Sequence, residues 1–143
     1  MNLSVVGVVD RQTWDAALLA LPQPHVLQSW AWGETKAQTG WRAGRLLWQQ
    51  DRQPVAAAAL LIRQLSARLP VAVGYIPKGP ILDWSDAGLA EAVLERIEAE
   101  ARRAGAIFIK IDPDVRADTP AGEAVCGSTR STRPRTEPRS TTR

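Results

Sequence analysis

Hydrophobic and polar positions divide the 143-residue chain into alternating helical and extended segments. Trp14, Leu18 and Leu21 recur at helical spacing behind Thr13, so a short helix capped by Thr13 and running through Leu21 is predicted. Pro22 and Pro24 stop it. Gln28 to Thr39 reads as a second helix, with Gly40 placed to close its last turn. Trp41 to Trp48 alternates as a strand does, and Asp51-Arg52-Gln53-Pro54 carries turn residues. The apolar run Val55 to Leu65 is long for one strand and is expected to fold back on the preceding segment as a hairpin. Val71 to Ile76 is a further strand, interrupted by Pro77-Lys78-Gly79-Pro80, because neither proline can donate to a ladder. The clearest helix is Asp86 to Ala104, where Ala90, Val93, Leu94, Ile97, Ala101 and Ala104 form one apolar stripe. Arg102 and Arg103 suit its last turn and Gly105 its stop. Ala106 to Asp112 reads as a buried strand with Ile107, Ile109 and Ile111 on one face and Phe108 on the other.

Helix, helix, hairpin, strand, helix, strand is the order of an α+β or α/β domain whose helices cover a central sheet. Residues 1–125 are expected to form that domain. Residues 126–143 contain no Leu, Ile, Val, Ala or aromatic residue, so they have nothing to bury and are expected to be a disordered basic tail.

Charge has to be read by segment. The net value is +3, but residues 126–143 hold five arginines and one glutamate. Residues 1–125 carry 13 basic and 14 acidic side chains, a net of −1, so the expected folded part gives no general support for nucleic-acid binding. The single cysteine, Cys126, excludes an intrachain disulfide and a cysteine-based zinc site. No apolar run reaches the length of a membrane span, and the start Met1-Asn2-Leu3-Ser4 lacks the features of a secretory signal. A cytoplasmic protein is expected.

Three segments carry candidate chemistry. In Gln28-Ser29-Trp30-Ala31-Trp32-Gly33-Glu34-Thr35-Lys36, two tryptophans two positions apart on a helix point about 200° apart, so at most one faces the core centrally and the other is free to line a groove. Lys36 follows Trp32 by one turn and can share its side. Spacing alone is equally satisfied by packing tryptophans and a solvated lysine. In Tyr75-Ile76-Pro77-Lys78-Gly79-Pro80-Ile81-Leu82-Asp83, a rigid extended turn can hold Tyr75 and Lys78 toward a ligand at a strand end, or can be a plain strand-to-helix connection. Asp112 and Asp114 in Phe108-Ile109-Lys110-Ile111-Asp112-Pro113-Asp114 fit metal binding or acid–base work, but Asp-Pro-Asp after a strand is more often turn chemistry. His25 lies in a proline-rich loop without a sequence partner. There is no P-loop, dinucleotide fingerprint, G-x-S-x-G or H-E-x-x-H.

Taken in order, these segments resemble the Fem-type (FemABX) peptidoglycan-bridge aminoacyltransferases. The Q-S-x-x-W-G-x-x-K-x-x-x-G-W block stands at Gln28 to Trp41, the Y-x-P-[KR]-G-P-x-x-D block at Tyr75 to Asp83, and the F-[IL]-[KR]-[IV]-D-P strand at Phe108 to Pro113. The resemblance covers about residues 5 to 118. It implies an incomplete GNAT-like (acyl-CoA N-acyltransferase) fold, of which family members carry two copies. It also implies an aminoacyl-tRNA donor, with no metal and no further cofactor. The acceptor it implies is an amino group on the stem peptide of a UDP-linked or lipid-linked muropeptide, with peripheral contact to the inner membrane face. Carried over, Lys36 and Tyr75 lie around the acceptor, Lys78 is a further anion contact, and Asp83 is a candidate for orienting the amine.

A family member needs more chain than the resemblance covers here. The first fold copy should continue and a second should follow, and the tail matches nothing in the family. A shifted reading frame near Val125 in a GC-rich gene would produce its Arg/Ser/Thr/Pro bias. A fragment, inactive alone, is expected. The alternatives are a genuine basic tail that touches RNA or an acidic membrane, a GNAT-type enzyme using acyl-CoA, and a non-catalytic binding module. The acyl-CoA reading expects a pyrophosphate-binding glycine loop before a helix, and none is found.

Overall fold

The computed structural model describes residues 2–116, 118–120 and 122–123. The expected disordered tail at 126–143, and the end of the domain at 125, lie outside the described residues. Among the described residues, strands and α-helices form a sheet with helices on both faces: β1 (Leu3–Gly7), α1 (Arg11–Leu19), α2 (Trp30–Ala37), β2 (Trp41–Gln50), β3 (Gln53–Gln64), β4 (Ala72–Pro77), β5 (Ile81–Leu82), α3 (Ala87–Arg103) and β6 (Ala106–Asp112). The sheet runs β1-β2-β3-β4-β6, with β5 paired to β3 beside β4. All pairs are antiparallel except β4 with β6, which are parallel and joined through α3.

Local chemistry explains most boundaries. Asp10, not the expected Thr13, caps α1: its carboxylate accepts from the Thr13 N–H at 2.8 Å. The expected second helix is broken. Val26–Gln28 is a 3-10 turn, and α2 starts only after Ser29, whose hydroxyl accepts from the Trp32 N–H at 3.2 Å. Asp51 (φ 50°) and Arg52 (φ 67°) make the two-residue hairpin turn between β2 and β3. Gln53 and Pro54, expected in that turn, already belong to β3, and Pro54 sits where the register shifts, so its missing N–H costs the ladder little. Asp86 caps α3, Arg102 and Arg103 occupy its last turn, and Gly105 closes it at φ +81°. A Cβ on Gly105 would come within 2.6 Å of the Pro70 carbonyl oxygen.

Two cores lie on the two faces of the sheet. Ala56, Ala58, Leu60 and Ile62 of β3, with Ala72 and Ile76 of β4, pack against Ala90, Val93, Ile97 and Ala101 of α3. Ala57 and Ala59 face the other way, against Trp14, Ala17 and Leu18 of α1. The alternation of β3 therefore separates an α3 face from an α1/α2 face.

β6 corrects one expectation. Ile109 and Ile111 pack on the α3 core, but Ile107 is 57% exposed and Phe108 52%. The register slips between Ala72 and Gly74, which breaks the strict alternation of the three isoleucines. Among the described residues, β6 is also the last strand of the sheet, so it is half-covered rather than buried. β1 was not expected from the pattern at all. It is an edge strand whose residues are mostly exposed, so it carries no clean alternation.

Gly33 positions α2. A Cβ there would lie 2.5 Å from Arg45 Nη2 and 3.2 Å from the Ala43 Cβ. Arg45 cannot easily give way. It is buried, stacks 3.5 Å over the Trp30 ring, and donates to the Trp30 carbonyl and the Glu34 carboxylate, both at 3.1 Å. Gly33→Ala is expected to destabilise by about 1–3 kcal/mol through overpacking, read as a lowered urea midpoint. An unchanged midpoint would mean that α2 can move off β2 without loss.

Candidate functional site

Register decides which side each candidate residue occupies. Ala43 of β2 lies under α2, since a Cβ on Gly33 would touch it. Ala43 pairs with Leu61 of β3, Leu61 with Tyr75 of β4, and Tyr75 with Lys110 of β6. Paired residues point to the same side of a sheet. Tyr75 and Lys110 therefore share the face that carries α2, and α2 carries Lys36. The structure thus brings the first and second sequence blocks to one side of the molecule.

Each of these groups has an aromatic–cation partner. Lys36 Nζ stands 5.2 Å from the centre of the Trp32 ring, and Lys110 Nζ stands 5.6 Å from that of Tyr75. Trp30 and Trp32 divide as their angular separation requires. Trp30 packs against the α1 core and beneath Arg45, whereas Trp32 is half-buried under Lys36. The buried indole Nε1 of Trp32 has no hydrogen-bond partner among the described residues.

Lys78 sits at the C-terminal ends of the parallel pair. Its backbone is left-handed (φ 49°), and its ammonium lies 4.0 Å from Asp112 and 3.8 Å from Asp114. The Asp-Pro-Asp carboxylates are thus joined to the second block by a cation. Among the described residues, no three His, Cys, Asp or Glu side chains gather as a metal site requires. Lys78, Pro80, Ile81, Leu82, Trp84 and Asp114 line a shallow cleft. Asp83 is exposed and is engaged locally. Its Oδ1 accepts from Ser85 Oγ at 2.6 Å and from the Ser85 N–H at 3.0 Å, which hold its pKa below the ordinary aspartate value. That carboxylate forms the turn into α3.

One functional contact was not legible in the blocks. Gln28, the first residue of the first block, is fully buried against the turn of the second. Its Oε1 accepts from the Ala59 N–H at 2.8 Å and its Nε2 donates to the Pro77 carbonyl. Ala59 lies between the stretch of β3 paired with β4 and the stretch paired with β5, so the side-chain amide fills a gap in the ladder. A Cβ on Gly79 would sit 2.8 Å from Gln28 Cδ, so only glycine fits there. Gln28 thereby fixes the Pro77-Lys78-Gly79-Pro80 turn, whose Gly79–Pro80 bond is cis.

The FemAB family matches residues 10–133. The chain belongs to that family. It is 38% identical over 110 residues to the lipid II:glycine glycyltransferase of Staphylococcus saprophyticus, covering 77% of this chain and 26% of the relative. It is 34% identical over the same span to that of Staphylococcus aureus. The chain therefore spans about a quarter of the length of these relatives. A crystal structure of FemX superposes with a TM-score of 0.74 at 31% identity, covering 89% of this chain and 30% of that one. Glucosamine-6-phosphate N-acetyltransferase from Arabidopsis thaliana aligns over 96% of this chain and 98% of its own, with a TM-score of 0.59 and 12% identity. That likeness shows the fold alone: a partial GNAT-like arrangement of sheet and helices.

Proposed function

We propose that this chain is the first part of an aminoacyltransferase that moves an amino acid from an aminoacyl-tRNA to an amino group on the stem peptide of a peptidoglycan precursor. The observation that carries this reading is the shared face, which places Lys36 of the first block and Tyr75 of the second on one side of the sheet. The names of the relatives support a lipid-linked acceptor and glycine as the transferred group. The reaction would run on the cytoplasmic side of the membrane, where charged tRNA is found, with peripheral contact to the inner membrane face. Among the described residues no helix is long and apolar enough to cross a membrane.

In the transfer, the neutral acceptor amine attacks the ester carbonyl carbon. A C–N bond forms, the ester C–O bond breaks, and the ribose oxygen leaves with the proton that the amine gives up. The step needs an oriented amine and a polarised carbonyl, not a covalent enzyme intermediate. Lys36 would balance phosphate or carboxylate charge of the acceptor as a point cation. Tyr75 would line the same surface. Lys78 would serve as a second anion contact by exchanging Asp112 and Asp114 for ligand oxygens. Asp83 would act on the amine only as an ionised hydrogen-bond acceptor, because Ser85 holds its pKa down.

The test is binding of a lipid-linked muropeptide in detergent micelles to the 143-residue chain. Lys36→Ala is expected to weaken binding about tenfold, or ~1.4 kcal/mol, and Tyr75→Ala by a similar factor. Equal affinity in the parent and both variants would move the acceptor off this face.

A further inference from the structure

We infer that the cleft at the C-terminal ends of β4 and β6 takes an α-amino-acid head group, an ammonium and a carboxylate carried on one carbon. Open sheets take ligands in crevices beyond the carboxyl ends of their parallel strands, and β4 with β6 is the parallel pair here. Pro80, Ile81 and Leu82 give the cleft an apolar wall, and Lys78, Trp84 and Asp114 give it polar groups. Two lining residues, Gln23 (φ 53°) and Lys78 (φ 49°), hold a left-handed backbone without being glycine, a strain that persists only where the surrounding structure imposes it. The hydrogen-bonding capacity of the polar groups is unspent. Lys78 Nζ stands 4.0 Å from Asp112 Oδ2 and 3.8 Å from Asp114 Oδ1, near enough to attract and too far to hydrogen-bond. Trp84 is 4% exposed, yet among the described residues its indole N–H has no acceptor. Unlike the Trp32 indole it is not sealed from solvent, and the cleft is the opening that Trp84 lines.

Charge selects the ligand. Lys78 with Asp112 and Asp114 sets one positive against two negative charges, a net of −1. A simple anion drawn to Lys78 meets both carboxylates, and a simple cation drawn to the carboxylates meets Lys78. A zwitterion opens the ion pairs and replaces both halves of them. Its carboxylate accepts from the Lys78 ammonium and the Trp84 N–H, and its ammonium donates to Asp114 and Asp112. These are charge-assisted hydrogen bonds, shorter than the ion pairs they displace. An aminoacyl ester has the ammonium but no carboxylate, so the cleft is not a donor site. What fits is a stem-peptide amine with a carboxylate on the same carbon, in preference to a lone side-chain amine. Only that last step, the identity of the molecule that carries the head group, rests on the transferase reading. The preference for a zwitterion is a property of the cleft, so its failure leaves muropeptide binding through Lys36 and Tyr75 standing, and the reverse.

The experiment titrates the full 143-residue chain, kept dilute, with three small probes followed by saturation-transfer NMR. Nε-acetyl-lysine carries the whole head group, N-acetylalanine the carboxylate alone, and butylammonium the ammonium alone. Nε-acetyl-lysine is expected to bind at least tenfold more tightly than either single-charge probe, the effect of losing one hydrogen bond to a charged group. Asp112→Asn/Asp114→Asn should reverse the order: Nε-acetyl-lysine weakens about tenfold, while N-acetylalanine tightens because Lys78 is released. That pair of changes keeps side-chain shape, and a gain of binding cannot come from misfolding. Trp84→Phe, which keeps a ring and removes the N–H, should weaken Nε-acetyl-lysine about threefold and leave butylammonium unchanged. N-acetylalanine or inorganic phosphate binding the parent as tightly as Nε-acetyl-lysine overturns the proposal, since the cleft would then be a plain anion site. So does the absence of saturable Nε-acetyl-lysine binding up to its solubility limit, or an unchanged order of probes in the double asparagine variant.

Discussion

Replacing Gln28 by alanine is expected to destabilise the fold by about 3–6 kcal/mol. Two buried backbone groups, the Ala59 N–H and the Pro77 carbonyl, lose their partners at once, at roughly 1–3 kcal/mol each. The empty amide site adds a cavity cost. Against a typical total of about 5–15 kcal/mol the effect is large. Denaturant unfolding checks it, and a loss below about 1 kcal/mol would show that water or β3 itself replaces the amide. Gln28→Glu sharpens the test. A carboxylate can still accept from Ala59 but cannot donate to Pro77, and burial without a cation raises its folded pKa above the unfolded value. A raised folded pKa gives stability that is full at low pH and lost as pH rises through it. The glutamate variant should therefore lose stability from pH 4 to pH 7 relative to the alanine variant, which shares every other titrating group. Gly79→Ala should approach the Gln28→Ala loss, because the new methyl meets the same amide at 2.8 Å.

The same residue shows where sequence reading stops. The α3 stripe was legible because Ala90, Val93, Ile97 and Ala101 repeat at helical period and meet one continuous face. Gly40 and Gly105 were legible because a left-handed stop is a local demand. Thr13 was misjudged by one helical turn because Asp10 and Thr13 are both capping residues, and only backbone geometry chooses between them. Gln28 looked like the first residue of a helix. Its side chain is instead committed to Ala59 and Pro77, and its carbonyl accepts from the Trp14 indole at 2.8 Å, contacts far away in sequence. Arg45, outside every block, could not be linked to Gly33 until β2 lay under α2. Lys36, Tyr75 and Lys78 could be singled out from the blocks, but that Lys36 and Tyr75 share a face depends on strand register, and the roles of all three stand as proposals. The FemAB match bears out the family itself.

The 143-residue chain assayed alone, with charged tRNA and a lipid-linked muropeptide, is expected to give no turnover above background. It spans 26% of the relatives' length, so it supplies Lys36, Tyr75 and Lys110 on one face and little to oppose them. A substrate held from one side keeps its rotational freedom, and orientation can supply roughly 7–11 kcal/mol of barrier reduction. Loss of even half of that corresponds to a rate lower by about three to four orders of magnitude. Binding should survive where turnover does not, because the cations and rings proposed to take the ligand are present in this chain. Among the described residues β6 also offers an unpaired edge beside the exposed Ile107 and Phe108, so the purified chain should self-associate as its concentration rises. A full-length glycyltransferase relative serves as the positive control. Turnover by the short chain within tenfold of that control would mean that the residues opposing this face are dispensable, and that the described face alone positions both reactants.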